Sequence, residues 1–161
     1  MERILPSGFR FTPSPAQLIG HYLARKLCDL PIASNTINDA DVYACVPAEL
    51  DSRFPSLDRF QDCRYFFTWR MPLAATGARV SRKVGSGGVY KGTQSAKDVV
   101  DANGRTIGYR QSFAYFDKSG KKTEWLMEEY GIRRQVVDGT KDLVICKIYL
   151  TPTARRACDR R

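Results

Sequence analysis

Residues 64–70 read RYFFTWR, and their chemistry decides the fold class. Aromatic, β-prone side chains follow one another with almost no polar break, as in a strand covered on both faces or sharply twisted. Downstream the same character recurs in separate runs. Residues 106–116 alternate loosely through Ile107, Tyr109, Phe113 and Tyr115. Residues 123–130, TEWLMEEY, put Trp125 and Met127 on one face of a strand. Residues 143–150, LVICKIYL, form the last strong strand. Asn103-Gly104, Ser119-Gly120 and Asp138-Gly139 separate these runs with hairpin-turn chemistry. About five or six strands joined by short turns predict an antiparallel sheet.

Upstream of residue 63 the pattern changes. Ser14 is placed as a helix N-cap, Pro15 as the first helical residue and Gln17 as the reciprocal partner of a capping box. Leu18, Ile19, Tyr22, Leu23 and Leu27 then follow at helical spacing, predicting a helix over about 15–27. Pro31, Asn35, Asn38 and Asp39 mark a loop, residues 41–43 a short extended piece, and Pro47 a short helix start. Residues 53–61 read as a loop. Residues 5–11, LPSGFRF, read as an extended arm with Phe9 and Phe11 facing one way. The expected fold class is α+β, a twisted antiparallel β-sheet flanked by a few helices. Residues 1–154 form the domain and residues 155–161 a basic, frayed tail.

The net charge is +9 on 161 residues, with 43% hydrophobic and 27% charged residues. The length suits one domain with a core of its own. The basic excess favours a polyanionic partner, nucleic acid before an acidic membrane surface. No run of about 18 apolar residues marks a membrane span. The first residues lack a secretory pattern. The five cysteines form no C-x-x-C pair, so they read as reduced thiols in an intracellular protein and not as a zinc site.

The charge concentrates in residues 79–97, RVSRKVGSGGVYKGTQSAK. Arg79, Arg82, Lys83, Lys91 and Lys97 share this stretch with no acid, around Gly85, Gly87, Gly88 and Gly92. One reading is a narrow cationic β-ribbon tip that approaches phosphates and enters a major groove. The other is a solvated basic hairpin. A nucleotide-binding loop is disfavoured, because Tyr90 and not glycine precedes Lys91 and a strand follows. Lys118, Lys121 and Lys122 make a second cationic turn that reads as solvated. Arg155, Arg156, Arg160 and Arg161 could touch phosphate or assist nuclear import, or do neither.

Taken in order, LPSGFRFTP, HYL, DVY, RYFF, the GSG…K…T…K stretch, EWLMEEY and DLVICKIY resemble the DNA-binding domain of the NAC transcription factors of land plants. The resemblance runs from about Leu5 to Leu150. It implies a nuclear, dimeric protein that binds double-stranded DNA by a β-ribbon in the major groove. The expected DNA-binding residues are Arg79, Arg82, Lys83, Lys91, Thr93, Gln94 and Lys97, and the expected dimer interface is Leu5, Phe9, Arg10 and Gln17. The family's WKATGTDK falls on YKGTQSAK. Lys91, Thr93 and Lys97 are kept, while Tyr90, Gly92, Gln94 and Ala96 depart, which bears on base preference. Lys83 stands at a family Arg position. Gln17 stands where the family has an acid for a partner's Arg. The family's reciprocal ion pairs are therefore not expected in a homodimer. An alternative role is an interaction module that heterodimerises with NAC-family proteins and modulates their DNA binding. The lack of an acidic or Gln-rich activating segment up to Arg161 keeps that alternative open.

Catalysis finds no supporting spacing. His21 has no paired nucleophile and reads as a partly exposed structural residue. Glu128 and Glu129 point to opposite faces of their strand and read as solvent charges or partners for lysines. Trp69 and Trp125 read as core residues. The chain is not expected to be an enzyme or to need a cofactor or metal.

Overall fold

The computed structural model describes residues 11–32, 36–54, 63–70, 82–85, 87–132 and 142–159. Among the described residues seven strands form one sheet: β1 (Ile37–Asp39), β2 (Cys63–Arg70), β3 (Val89–Gly92), β4 (Lys97–Val100), β5 (Thr106–Phe116), β6 (Lys122–Gly131) and β7 (Asp142–Leu150). The order across it is β1-β2-β7-β6-β5-β3, with β4 also on β5. All neighbours are antiparallel except β1 and β2, which pair in parallel through Ile37 and Tyr65, so the sheet is mixed. The predicted strands at 64–70, 106–116, 123–130 and 143–150 are present within a residue of their expected bounds. The turns at Asn103-Gly104 and Ser119-Gly120 close as expected. Gly104 and Gly120 take φ of 77° and 85°, which glycine tolerates without a Cβ clash. Asp138-Gly139 lies outside the described residues.

The first helix begins as its sequence dictates. Ser14 Oγ accepts from Gln17 N at 3.1 Å, and Gln17 Oε1 accepts from Ser14 N at 2.8 Å. The rod runs through α1 (Pro15–Gln17), a π-helical segment (Leu18–Leu23) and α2 (Ala24–Leu27). It buries Leu18, Ile19 and Leu23 against Tyr65, Phe67, Val99, Tyr130, Leu143 and Ile145 on one face of the sheet. The other face carries a second core of Val42, Leu50, Phe66, Tyr90, Phe113, Met127, Val144 and Ile148. The short helix α3 (Pro47–Arg53) supplies Leu50 to it. A sheet with a core on each face explains the near-continuous apolar run in β2.

Some expectations are corrected. The segment expected as loop near Asn38 forms β1, while residues 41–43 turn instead of extending, with Tyr43 N donating to Asp41 Oδ1 at 2.9 Å. Arg53 ends α3 instead of opening a loop. The tail expected to fray begins a helix, α4 (Pro152–Asp159), whose start is tied down by a short Thr151 hydroxyl–Glu124 carboxylate contact. Trp69 is 51% exposed and not a core residue. It shares the face of Tyr65 and Phe67, but Lys26 of α2 sits over Phe67, and Trp69 lies a full pleat further on. Trp125 packs at the rim of the second core, as expected.

Candidate nucleic-acid interface

The basic stretch closes into a tight hairpin and then becomes the edge of the sheet. Lys83 bridges to Val89, Tyr90 N donates to Arg82 O at 3.0 Å, and Val84 N donates to Gly88 O at 3.0 Å. The bend is set by glycine. Gly88 has φ of 88°, and a Cβ there would fall 2.4 Å from both Phe116 O and the Tyr115 hydroxyl oxygen. Tyr115 Oη fastens the bend by donating to Gly87 O at 2.6 Å. From Val89 onward the chain lies antiparallel along β5, first as β3 against Phe113–Phe116 and then as β4 against Thr106–Arg110. The expected single ribbon tip is thus a short hairpin continued by an interrupted edge strand.

The interruption is a bulge. Gly92 pairs with Phe113 and Lys97 with Arg110, so residues 93–96 span the distance taken by Gln111 and Ser112 alone. Thr93 N still donates to Ser112 O at 2.9 Å, after which the chain leaves the ladder. Thr93, Gln94, Ser95 and Ala96 are all exposed.

The candidate contact residues divide into two groups. Lys83, Lys91, Thr93, Gln94 and Lys97 are exposed along this edge. Lys91 also rests its ammonium 4.6 Å from the centre of the Phe116 ring. Arg82 turns inward. Its Nη1 lies 2.8 Å from Glu129 Oε1 and donates to the Tyr43 hydroxyl at 3.1 Å, while its guanidinium stacks 4.1 Å above Phe113. Arg79 lies outside the described residues. The second cationic turn joins the first, since a Cβ on Gly87 would meet Lys118 Cβ at 3.0 Å. Lys118, Lys121 and Lys122 are exposed beside the hairpin bend.

Beneath the edge lies an ionic cluster that sequence reasoning missed. Glu129 is 0% exposed. Arg70 Nη1 lies 2.7 Å from its Oε1, and Tyr109 Oη donates to its Oε2 at 3.0 Å. Arg70 Nη2 also reaches Asp142 Oδ2 at 3.3 Å. Burial by itself would raise the Glu129 carboxyl, but the Arg70 and Arg82 guanidiniums outweigh it and hold the group below its ordinary range. Glu129 is therefore not a solvent charge or a lysine's partner. The signal was present: alternation places it on the face of Trp125 and Met127, and an acid on an apolar face needs a buried cation. Glu128, on the opposite face as expected, accepts from Tyr130 Oη at 2.6 Å. Burial also raises the neighbouring Cys146 thiol and the Tyr43 and Tyr109 hydroxyls, so these remain protonated and act as donors or apolar groups.

Of the expected dimer residues, Leu5, Phe9 and Arg10 lie outside the described residues. Gln17 is exposed, and its side chain is engaged in the capping box. Phe11, next to that arm, is buried edge-on against Tyr22 and Tyr65 at 5.4 and 5.1 Å. His21 is exposed, with its ring 4.9 Å from Tyr22. Among the described residues no three His, Cys, Asp or Glu side chains group as metal ligands, and no helix is long and apolar enough to cross a membrane.

The sequence model of the No apical meristem (NAM) protein family matches residues 6–132 of this chain. NAC domain-containing protein 83 of Arabidopsis thaliana is 32% identical over 157 residues, covering 93% of this chain and 60% of the relative. NAC domain-containing protein 72 of the same plant is 33% identical over 153 residues, covering 90% and 50%. NAC transcription factor 47, also from Arabidopsis thaliana, is 34% identical over 133 residues, covering 78% of this chain and 36% of the relative. The chain spans about half the length of these curated relatives.

Proposed function

Since this chain belongs to the No apical meristem (NAM) protein family, we propose that it is a nuclear, DNA-binding regulator of transcription. The observation that carries this reading is the outward row of Lys83, Lys91 and Lys97 on one sheet edge, continued by Lys118, Lys121 and Lys122 at the hairpin bend. The hairpin that lays Arg82–Val84 against Gly88–Tyr90 gives this border of the sheet a narrow two-stranded end, a shape that a major groove admits. The lysines, with Arg79, bind phosphates. Thr93 and Gln94 on the bulge face the base edges. Arg82 holds the hairpin to Glu129 and sets the height of this edge instead of reaching for phosphate itself. Residues 1–154 act as the DNA-binding unit and pair through Leu5, Phe9, Arg10 and Gln17 to give a dimer.

The second reading, a partner that joins other NAC-family proteins and modulates their DNA binding, is favoured by Gln17. It is neutral and its carboxamide already serves its own helix cap. One experiment tests both readings. Purified protein is titrated into duplex DNA across a salt series, alone and mixed with a complete family member. Binding alone, with log affinity falling linearly in log salt, supports the first reading. Binding only in the mixture supports the second. No effect on DNA in either arm overturns both.

A further inference from the structure

We propose that Gln94 is a base-reading residue of this edge and that it selects adenine. The inference rests on the DNA-binding reading above and adds the base and the residue that reads it. The bulge spans residues 93–96 between two exposed lysines, Lys91 and Lys97, so phosphate neutralisation at both ends brings the bulge against the groove floor. The bulge carries one long polar side chain. Thr93 is short and its hydroxyl donates to Ser112 O at 3.3 Å, Ser95 is short, and Ala96 has no polar atom. Gln94 is exposed, and Gln111 Nε2 reaches its backbone carbonyl at 3.5 Å from β5, which steadies the main chain while leaving the carboxamide free to face outward.

A carboxamide offers one donor and one acceptor side by side. In the major groove adenine alone presents the complementary acceptor N7 beside the donor N6, and glutamine pairs with both. Gly92, just before the bulge, keeps this approach open, because a Cβ there would press to 3.1 Å on Gln111 Nε2, the atom that steadies Gln94.

The test is selection from random duplexes with the wild type and with Gln94→Ala, followed by affinity measurement on the selected duplex. The wild type is expected to enrich adenine at one position. Gln94→Ala should lose roughly 5- to 150-fold discrimination at that position, with its salt slope unchanged. Replacing the selected adenine by 7-deazaadenine, which lacks the N7 acceptor, should weaken the wild type and leave Gln94→Ala unaffected. An identical base profile for the two proteins, or equal sensitivity of both to 7-deazaadenine, overturns the assignment to Gln94 while leaving DNA binding intact. Absence of binding to any duplex overturns the DNA-binding reading, and this inference with it.

Discussion

Arg82 Nη1 lies 2.8 Å from the buried carboxylate of Glu129, joining residues 47 apart in sequence. This pair fixes the root of the glycine hairpin to β6, in the middle of the sheet. The backbone of Tyr43 holds the same hairpin, accepting from Gly85 N at 2.8 Å, and the Tyr43 hydroxyl touches both members of the pair. The charge that looked poised for DNA is thus spent on positioning its neighbours.

Glu129→Gln removes the carboxylate 2.8 Å from buried Arg82, and it leaves Arg70, 2.7 Å away, to its longer 3.3 Å contact with Asp142. Breaking a buried pair from one side costs about 3–5 kcal/mol, to be read from urea unfolding at pH 7. The pH dependence has a definite sign. The folded-state pKa is depressed below the ordinary 4.5, so the unfolded chain takes up the proton first. The contribution is complete above about pH 4.5 and is lost as pH falls through the folded-state value. Wild-type stability should drop on that acid limb, and Glu129→Gln should lack this component.

Tyr90 is 2% exposed, and its hydroxyl finds no hydrogen-bond partner among the described residues. An unmet buried donor costs about 1–3 kcal/mol. Tyr90→Phe keeps the edge-on packing with Tyr43 at 5.9 Å and removes that cost. The variant should be as stable as the wild type or more so, by thermal unfolding, with DNA affinity unchanged.

Two glycines with positive φ should respond differently. At Gly88 a Cβ collides with Phe116 O and the Tyr115 hydroxyl, whereas at Gly104 nothing lies within 4 Å. Gly104→Ala should cost only the left-handed backbone penalty, about 1–2 kcal/mol. Gly88→Ala should cost clearly more and displace the hairpin. Paired urea titrations distinguish them, and equal losses would show that the Gly88 contacts do not set the bend.

Much of this was legible because it is local. Strand alternation, Asn-Gly and Ser-Gly turns and the Ser14–Gln17 box each lie within a few residues. The missed features are set by distant chain. Ile37–Asp39 is too short to show a period and becomes a strand only by pairing with β2. Trp69 has core chemistry, but its exposure depends on where the covering helix lies. The place of Glu129 on an apolar face was readable, but not which arginines meet it, since Arg70 and Arg82 arrive from β2 and the hairpin. For the same reason Arg82 could not be told from Lys83 by sequence, although one points in and the other out.

Gln17→Glu tests the assembly proposal. Glutamate can still close the capping box with Ser14, so the helix start should survive. The added charge should tighten self-association by about 0–1 kcal/mol per exposed pair with Arg10, and the gain should shrink at high salt. Equilibrium sedimentation measures it. An unchanged dimer constant at low salt would remove Gln17 from the interface.

The central claim is that the outward lysines of the β3–β4 edge bind duplex DNA, and the double variant Lys83→Ala/Lys91→Ala tests it most directly. Both side chains are exposed, so the circular dichroism spectrum and urea midpoint should stay close to wild type. Affinity for duplex DNA by fluorescence anisotropy should fall steeply, and the slope of log affinity against log salt should flatten by about 2, one for each lost phosphate contact. A folded double variant that binds with wild-type affinity and wild-type salt slope would contradict the account.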